Sequence, residues 1–137
     1  MRCVATVLVP ALLCSLPGCL SSGSDAEPVP VYISKGTLTV DWTINNSADP
    51  NQCNQSVAAD IDIAVTTPDG APIDEFRQRC SDGVATITLD PGSYAAQAAL
   101  LDSADHERTT WVSINPFTIQ NNTDLSISVE FPASSFY

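Results

Sequence analysis

The amino-acid sequence predicts an all-β fold, an antiparallel sandwich of about seven strands. Three observations carry that expectation. Apolar and polar residues alternate with a period of two in segment after segment, the pattern of a strand with one buried face. No window sustains a helical period. Turn-forming pairs such as Asp69-Gly70, Asp82-Gly83 and Pro91-Gly92 punctuate the chain at short intervals.

The first expected strand covers 36–45 (GTLTVDWTIN). Leu38, Val40, Trp42 and Ile44 share one face, and Thr37, Thr39, Asp41 and Thr43 the other. Strands follow at 57–66 and 73–80, joined through Asp69-Gly70, a favoured two-residue hairpin loop because both positions accept positive φ. With those two residues as the loop, Ile63 faces Phe76 on the apolar side, while Asp62 faces Arg77 and Asp60 faces Arg79 on the other. Apolar and charged partners match at once, which specifies the register. The same register turns Ile73 outward and Asp74 inward, so a bulge is expected beside the turn.

Asp82-Gly83 leads into a strand at 84–89. Either it pairs back as a meander, with Phe76 against Leu89, Gln78 against Ile87 and Cys80 against Ala85, or the chain crosses to the other sheet. Strands at 93–101, 109–119 and 125–131 complete the set. If 93–101 pairs with 109–114, Val112 and Ile114 face the core with Ala98 and Ala96, and Trp111 points outward. This rhythm over roughly 100 residues is that of an immunoglobulin-like β-sandwich.

The N-terminus has a different character. Arg2 precedes the apolar run VATVLVPALLCSL, which is shorter than the roughly 20 residues a membrane-spanning helix needs and is interrupted by Pro10. It ends in Leu16-Pro17-Gly18-Cys19. This resembles the lipobox of bacterial lipoproteins, with leucine three residues before the cysteine and a small residue directly before it. The resemblance implies that residues 1–18 are a signal peptide cleaved before Cys19. It also implies that Cys19 carries a thioether-linked diacylglycerol and an N-acyl chain such as palmitate, which anchor the protein to a membrane. Leu20-Ser21 after the cysteine, in place of an aspartate, implies the outer membrane, with the domain on its periplasmic or cell-surface side. Residues 19–35, which include SSGSDAEPVP, read as a flexible tether, and 36–137 as the folded domain.

Cysteine usage fits that division. Cys3 and Cys14 leave with the leader and Cys19 takes lipid, so Cys53 and Cys80 remain. In an oxidising compartment the simplest expectation is a disulfide contributing about 3 kcal/mol. The alternation puts Cys80 on the face of Phe76, so the bridge is expected to cover one end of the core.

The segment LDPGSY, 89–94, resembles the Leu-x-Pro-Gly-x-Tyr connection of transthyretin-like and carboxypeptidase-regulatory-like domains, small seven-stranded sandwiches. The resemblance implies that Pro91-Gly92 makes the turn and that Tyr94 packs inward with its hydroxyl tied to backbone. It also implies a structural or adhesive module.

The chain carries 16 acidic residues against five lysines and arginines, a net charge of −11. With no basic patch, a nucleic-acid partner is not expected. No cofactor-binding motif occurs, and none of the motifs of nucleophilic or metal-assisted catalysis. The single histidine, His106, sits in LDSADHERTT, which reads as an exposed hairpin tip. Asp102, Asp105 and Glu107 in that tip offer hard oxygen ligands and are weak calcium candidates. An outward Trp111 would suit a sugar face or a protein partner. The expected function is therefore a non-catalytic, lipid-anchored envelope or cell-surface module with a structural or protein-interaction role. The alternative is a ligand-binding module for glycan or calcium using the 102–108 loop and Trp111.

Overall fold

The computed structural model describes Pro28 and residues 34–137. The leader, Cys19 and most of the expected tether lie outside the described residues. Seven strands follow: β1 (Gly36–Ile44), β2 (Asp60–Thr66), β3 (Pro72–Arg79), β4 (Val84–Leu89), β5 (Gly92–Leu101), β6 (Val112–Ile119) and β7 (Asp124–Phe131). They form a three-stranded sheet in the order β4-β1-β7 and a four-stranded sheet in the order β3-β2-β5-β6. The expected all-β sandwich is present.

One pairing is parallel. β1 runs antiparallel to β4 but parallel to β7. The direction follows from the count of reversals: when each strand runs opposite to its predecessor, the first and seventh point the same way. β1 is the centre of its sheet and β2 and β5 the centre of the other, so their inner faces make the core. Leu38, Val40, Trp42 and Ile44 meet Ile61, Ile63, Val65, Ala98 and Leu100, all buried. Gly36 opens β1 where the chain passes the end of β6. A Cβ there would lie 2.6 Å from Ile119 Cγ2 and closer still to the Gln120 carbonyl, so no side chain fits.

The β2–β3 register is the one expected, with Asp60 opposite Arg79, Asp62 opposite Arg77 and Ile63 opposite Phe76. The turn differs from the expectation. Thr67 O accepts from Gly70 N (2.9 Å) and Ala71 O from Thr67 N (2.9 Å), so the loop holds three residues, Pro68 to Gly70. Gly70 has φ 91° while Asp69 is not among the positive-φ residues. Proline fixes φ at the first turn position and glycine takes the left-handed one that follows. The register shift after Val65, which skips Ile73, absorbs the extra loop residue.

Asp82-Gly83 does not form a hairpin. Cys80–Asp82 is a 3-10 turn closed by Gly83 at φ 71°, and β4 crosses to pair with β1. The meander pairing of Phe76 with Leu89 is absent. Two contacts hold the crossing in place. Trp42 Nε1 donates to the Cys80 carbonyl (3.0 Å). Cys80 is disulfide-bonded to Cys53, which lies on α1 (Asn51–Gln55). Both cysteines are buried beside Trp42 at one end of the core.

Candidate functional site

The 102–108 tip is ordered by its own hydrogen bonds. Asp102 Oδ1 accepts from the amides of Ala104 (2.8 Å) and His106 (3.0 Å), and these bonds, His106 first, hold the Asp102 carboxyl below its ordinary range. Asp105 lies 2.6 Å from Arg77 Nη1. The same guanidinium grips Asp62 with Nε at 2.6 Å and Nη2 at 2.8 Å. Its hydrogen bonds to Asp62, together with the nearby negative charges, raise the Arg77 pKa further. Glu107 accepts from Trp111 Nε1 at 2.8 Å.

The three acids proposed for calcium thus serve three different partners. Asp105 is drawn to Arg77 on β3 and Glu107 to Trp111, while Asp102 is turned into its own loop. Among the described residues no three histidine, cysteine, aspartate or glutamate side chains form a group that could hold a metal ion. Trp111 is half-buried and precedes β6, with its indole N–H already used. His106 extends into solvent with 79% of its side chain exposed, 3.4 Å from Asp102 Oδ2. The Arg77–Asp105 contact pins the tip to β3. On the same outer face Asp62 is only 3% exposed, so the tip closes a surface rather than opening one.

Tyr94 is buried, donates its hydroxyl to the Asp90 carbonyl (2.7 Å) and stacks on Phe117 at 5.9 Å between ring centroids. Phe117 leads to the feature that reading the sequence did not find. β6 and β7 are edge strands of different sheets and lie side by side on one flank of the sandwich. Between them runs a groove of about 540 Å³. Val112, Ile114 and Phe117 line one wall, and Leu125, Ile127 and Val129 the other. Four of these six, Val112, Phe117, Leu125 and Ile127, are only partly buried. The β6 backbone is blunted there, because its register with β5 shifts around Asn115-Pro116 and the proline has no N–H.

The β7 backbone is not blunted. The carbonyls of Thr123 and Phe131 accept from Thr37 N (2.9 Å) and Asn45 N (3.1 Å), at the two ends of β1. Main-chain groups alternate sides along a strand. The N–H and C=O of Leu125, Ile127 and Val129 therefore face β1, and those of Ser126, Ser128 and Glu130 face the open edge. Among the described residues no strand pairs with β7 on that side.

On the flank near α1, Arg108 lines a smaller pocket of about 300 Å³ with Asn45, Gln55 and Phe136, and its buried Nε has no hydrogen-bond partner among the described residues. No helix among the described residues is long and apolar enough to cross a membrane.

No protein-family model matches the chain, and no curated protein matches it. Among solved structures, the Bacillus anthracis TIE protein superposes with a TM-score of 0.53 at 14% identity, over 72% of this chain and 17% of that one. A leucine-rich repeat protein from Bacteroides thetaiotaomicron gives 0.47 at 16% identity, over 73% of this chain and 12% of that one. The chain thus spans less than a fifth of either protein. At these identities the first likeness speaks to the fold alone, and the second carries no argument.

Proposed function

We propose that the chain is a non-catalytic envelope module, anchored to the outer membrane through lipid on Cys19, that works by binding a protein along its β6–β7 flank. The anchor rests on the likeness of Leu16-Pro17-Gly18-Cys19 to a lipobox. The interaction role rests on one observation, the groove of about 540 Å³ between two sheet edges, where apolar side chains from β6 and β7 lie among Ser113, Asn115, Ser126, Ser128 and Glu130. A cleft of that size, in which half-buried apolar side chains sit beside a few polar groups, has the make-up of a binding surface.

Two experiments in cells test the two halves. Metabolic labelling with palmitate should mark the wild-type chain and not Cys19→Ser; equal labelling of both overturns the anchor. A photo-crosslinking residue placed at Ser126 should give a defined protein adduct that the same residue at Glu75, on β3, does not. Identical adduct patterns from both positions, or none from either, overturn the interaction role.

A further inference from the structure

We infer that the β6–β7 flank recognises its partner by strand addition: an extended segment of alternating apolar and small polar residues, with a lysine or arginine at each end, pairs with the open edge of β7. The inference rests on the interaction role proposed above and specifies its chemistry.

Ser126, Ser128 and Glu130 turn their N–H and C=O groups to an edge that no strand among the described residues pairs with, and β7 itself carries only one protection, a carboxylate at each end. It has no proline and no lysine, and the register with β1 is unbroken from Asp124 to Phe131. A strand laid on this edge would put every second side chain into the groove beside Leu125, Ile127 and Val129, and the others on the outer face beside Asp124, Ser126, Ser128 and Glu130. Main-chain bonds then supply affinity, and the groove selects apolar residues at alternate positions.

Charge decides what kind of strand fits. The outer face of β7 ends in a carboxylate at each extremity, Asp124 and Glu130, with only serines between. Asp124 accepts from the hydroxyls of Thr37 (2.7 Å) and Thr39 (3.1 Å), and Glu130 from the Thr43 hydroxyl and the Asn46 amide (2.8 Å), all neutral donors that leave both negative charges uncompensated. None of the basic residues lies on β6 or β7. Directly opposed opposite charges stabilise a strand pair, and like charges destabilise it. A second copy of this chain is therefore a poor occupant. In the antiparallel pairing that overlaps Asp124–Glu130 with the same segment of a second copy, Ile127 faces Ile127 and Asp124 faces Glu130 at both ends, between molecules that each carry a charge of −11. A segment with basic residues at both ends meets Asp124 and Glu130 in whichever direction it runs.

The test uses the purified full-length chain in detergent and the synthetic peptide Lys-Val-Ser-Val-Ser-Val-Lys. Amide hydrogen exchange at Ser126, Ser128 and Glu130 should slow on adding the peptide, and replacing both lysines by glutamate should weaken binding roughly tenfold. Ser128→Pro, which removes an outward amide, should abolish the protection. Ser126→Lys, an outer-face change that leaves the core untouched, should weaken binding independently of any folding defect. Protection elsewhere, or binding indifferent to the peptide's charge, overturns the inference. So does slow exchange at these three amides in the free chain, or protection that grows with chain concentration alone, which would place a second copy on the edge. A crosslinked partner at Ser126 without peptide protection overturns strand addition and leaves the interaction role standing. Loss of both removes both.

Discussion

β3 and β7 are edge strands of eight residues each, in opposite sheets, and they treat their exposed edges differently. β3 begins at Pro72, skips Ile73 in its pairing and then projects Asp74, Glu75, Arg77 and Arg79. Another chain pairing there would meet a proline, a kink and mixed charge. β7 reads Asp-Leu-Ser-Ile-Ser-Val-Glu-Phe, unkinked and uncharged between its ends, beside a groove. Natural sheets guard edges against unwanted pairing. β4, the other edge of the three-stranded sheet, also lacks proline, charge and bulge, so it is the groove beside β7, and not bareness alone, that marks the β7 edge for use.

Five tests, some of them pairs of variants, break or sharpen that contrast. The largest effect is expected from Phe131→Ala, which empties a fully buried site where β7 closes the core, at a cost of about 3–5 kcal/mol by denaturant titration. Leu125→Ala, at the half-buried open end of the same strand, should cost much less. A proline scan then separates the two sides of β7. Ile127→Pro removes an N–H donated to β1 and should cost about 3 kcal/mol, whereas Ser128→Pro removes one that faces outward and should cost under about 1 kcal/mol. Similar losses at both positions would mean that the edge is not open.

The opposite end of the sandwich depends on its bridge. Replacing Cys53 and Cys80 together by alanine should lower stability by about 3 kcal/mol while leaving peptide binding at β7 intact. Tyr94→Phe leaves the Asp90 carbonyl without its hydroxyl donor and should cost about 1 kcal/mol. The smallest effect concerns the 102–108 tip. The amides of His106 and Ala104 lower the Asp102 pKa, so the ordering they provide is complete above the ordinary carboxylate range and is lost as the pH falls through the lowered value. The amide resonances of Ala104 and His106 should report that acid transition in wild type and lose it in Asp102→Asn.

Much of the fold was legible because the chain repeats one rule. Alternation placed each strand, and the charge pairs Asp62–Arg77 and Asp60–Arg79 set a hairpin register that survived a mistaken turn. Asp69-Gly70 does not reveal by itself that Pro68 begins the turn one residue early, and the bulge at Ile73 restores the phase. α1 leaves no trace in the periodicity because five residues are too few to show a helical period. The open flank could not be seen, since alternation in LSISV marks a half-buried strand without saying whether a neighbour covers its edge. That depends on sheet order, which non-local pairing of β1 with β4 and β7 decides. The tip drew attention for its acids and its tryptophan, yet Arg77, distant in sequence, turns Asp105 into a clasp.

The most direct measurement is residue-resolved amide hydrogen exchange along β7 in the free chain. If the edge is open, Leu125, Ile127 and Val129 exchange slowly and Ser126, Ser128 and Glu130 exchange fast, alternating residue by residue. Uniformly slow exchange from Leu125 to Glu130 would show the edge already covered and would contradict the proposed site.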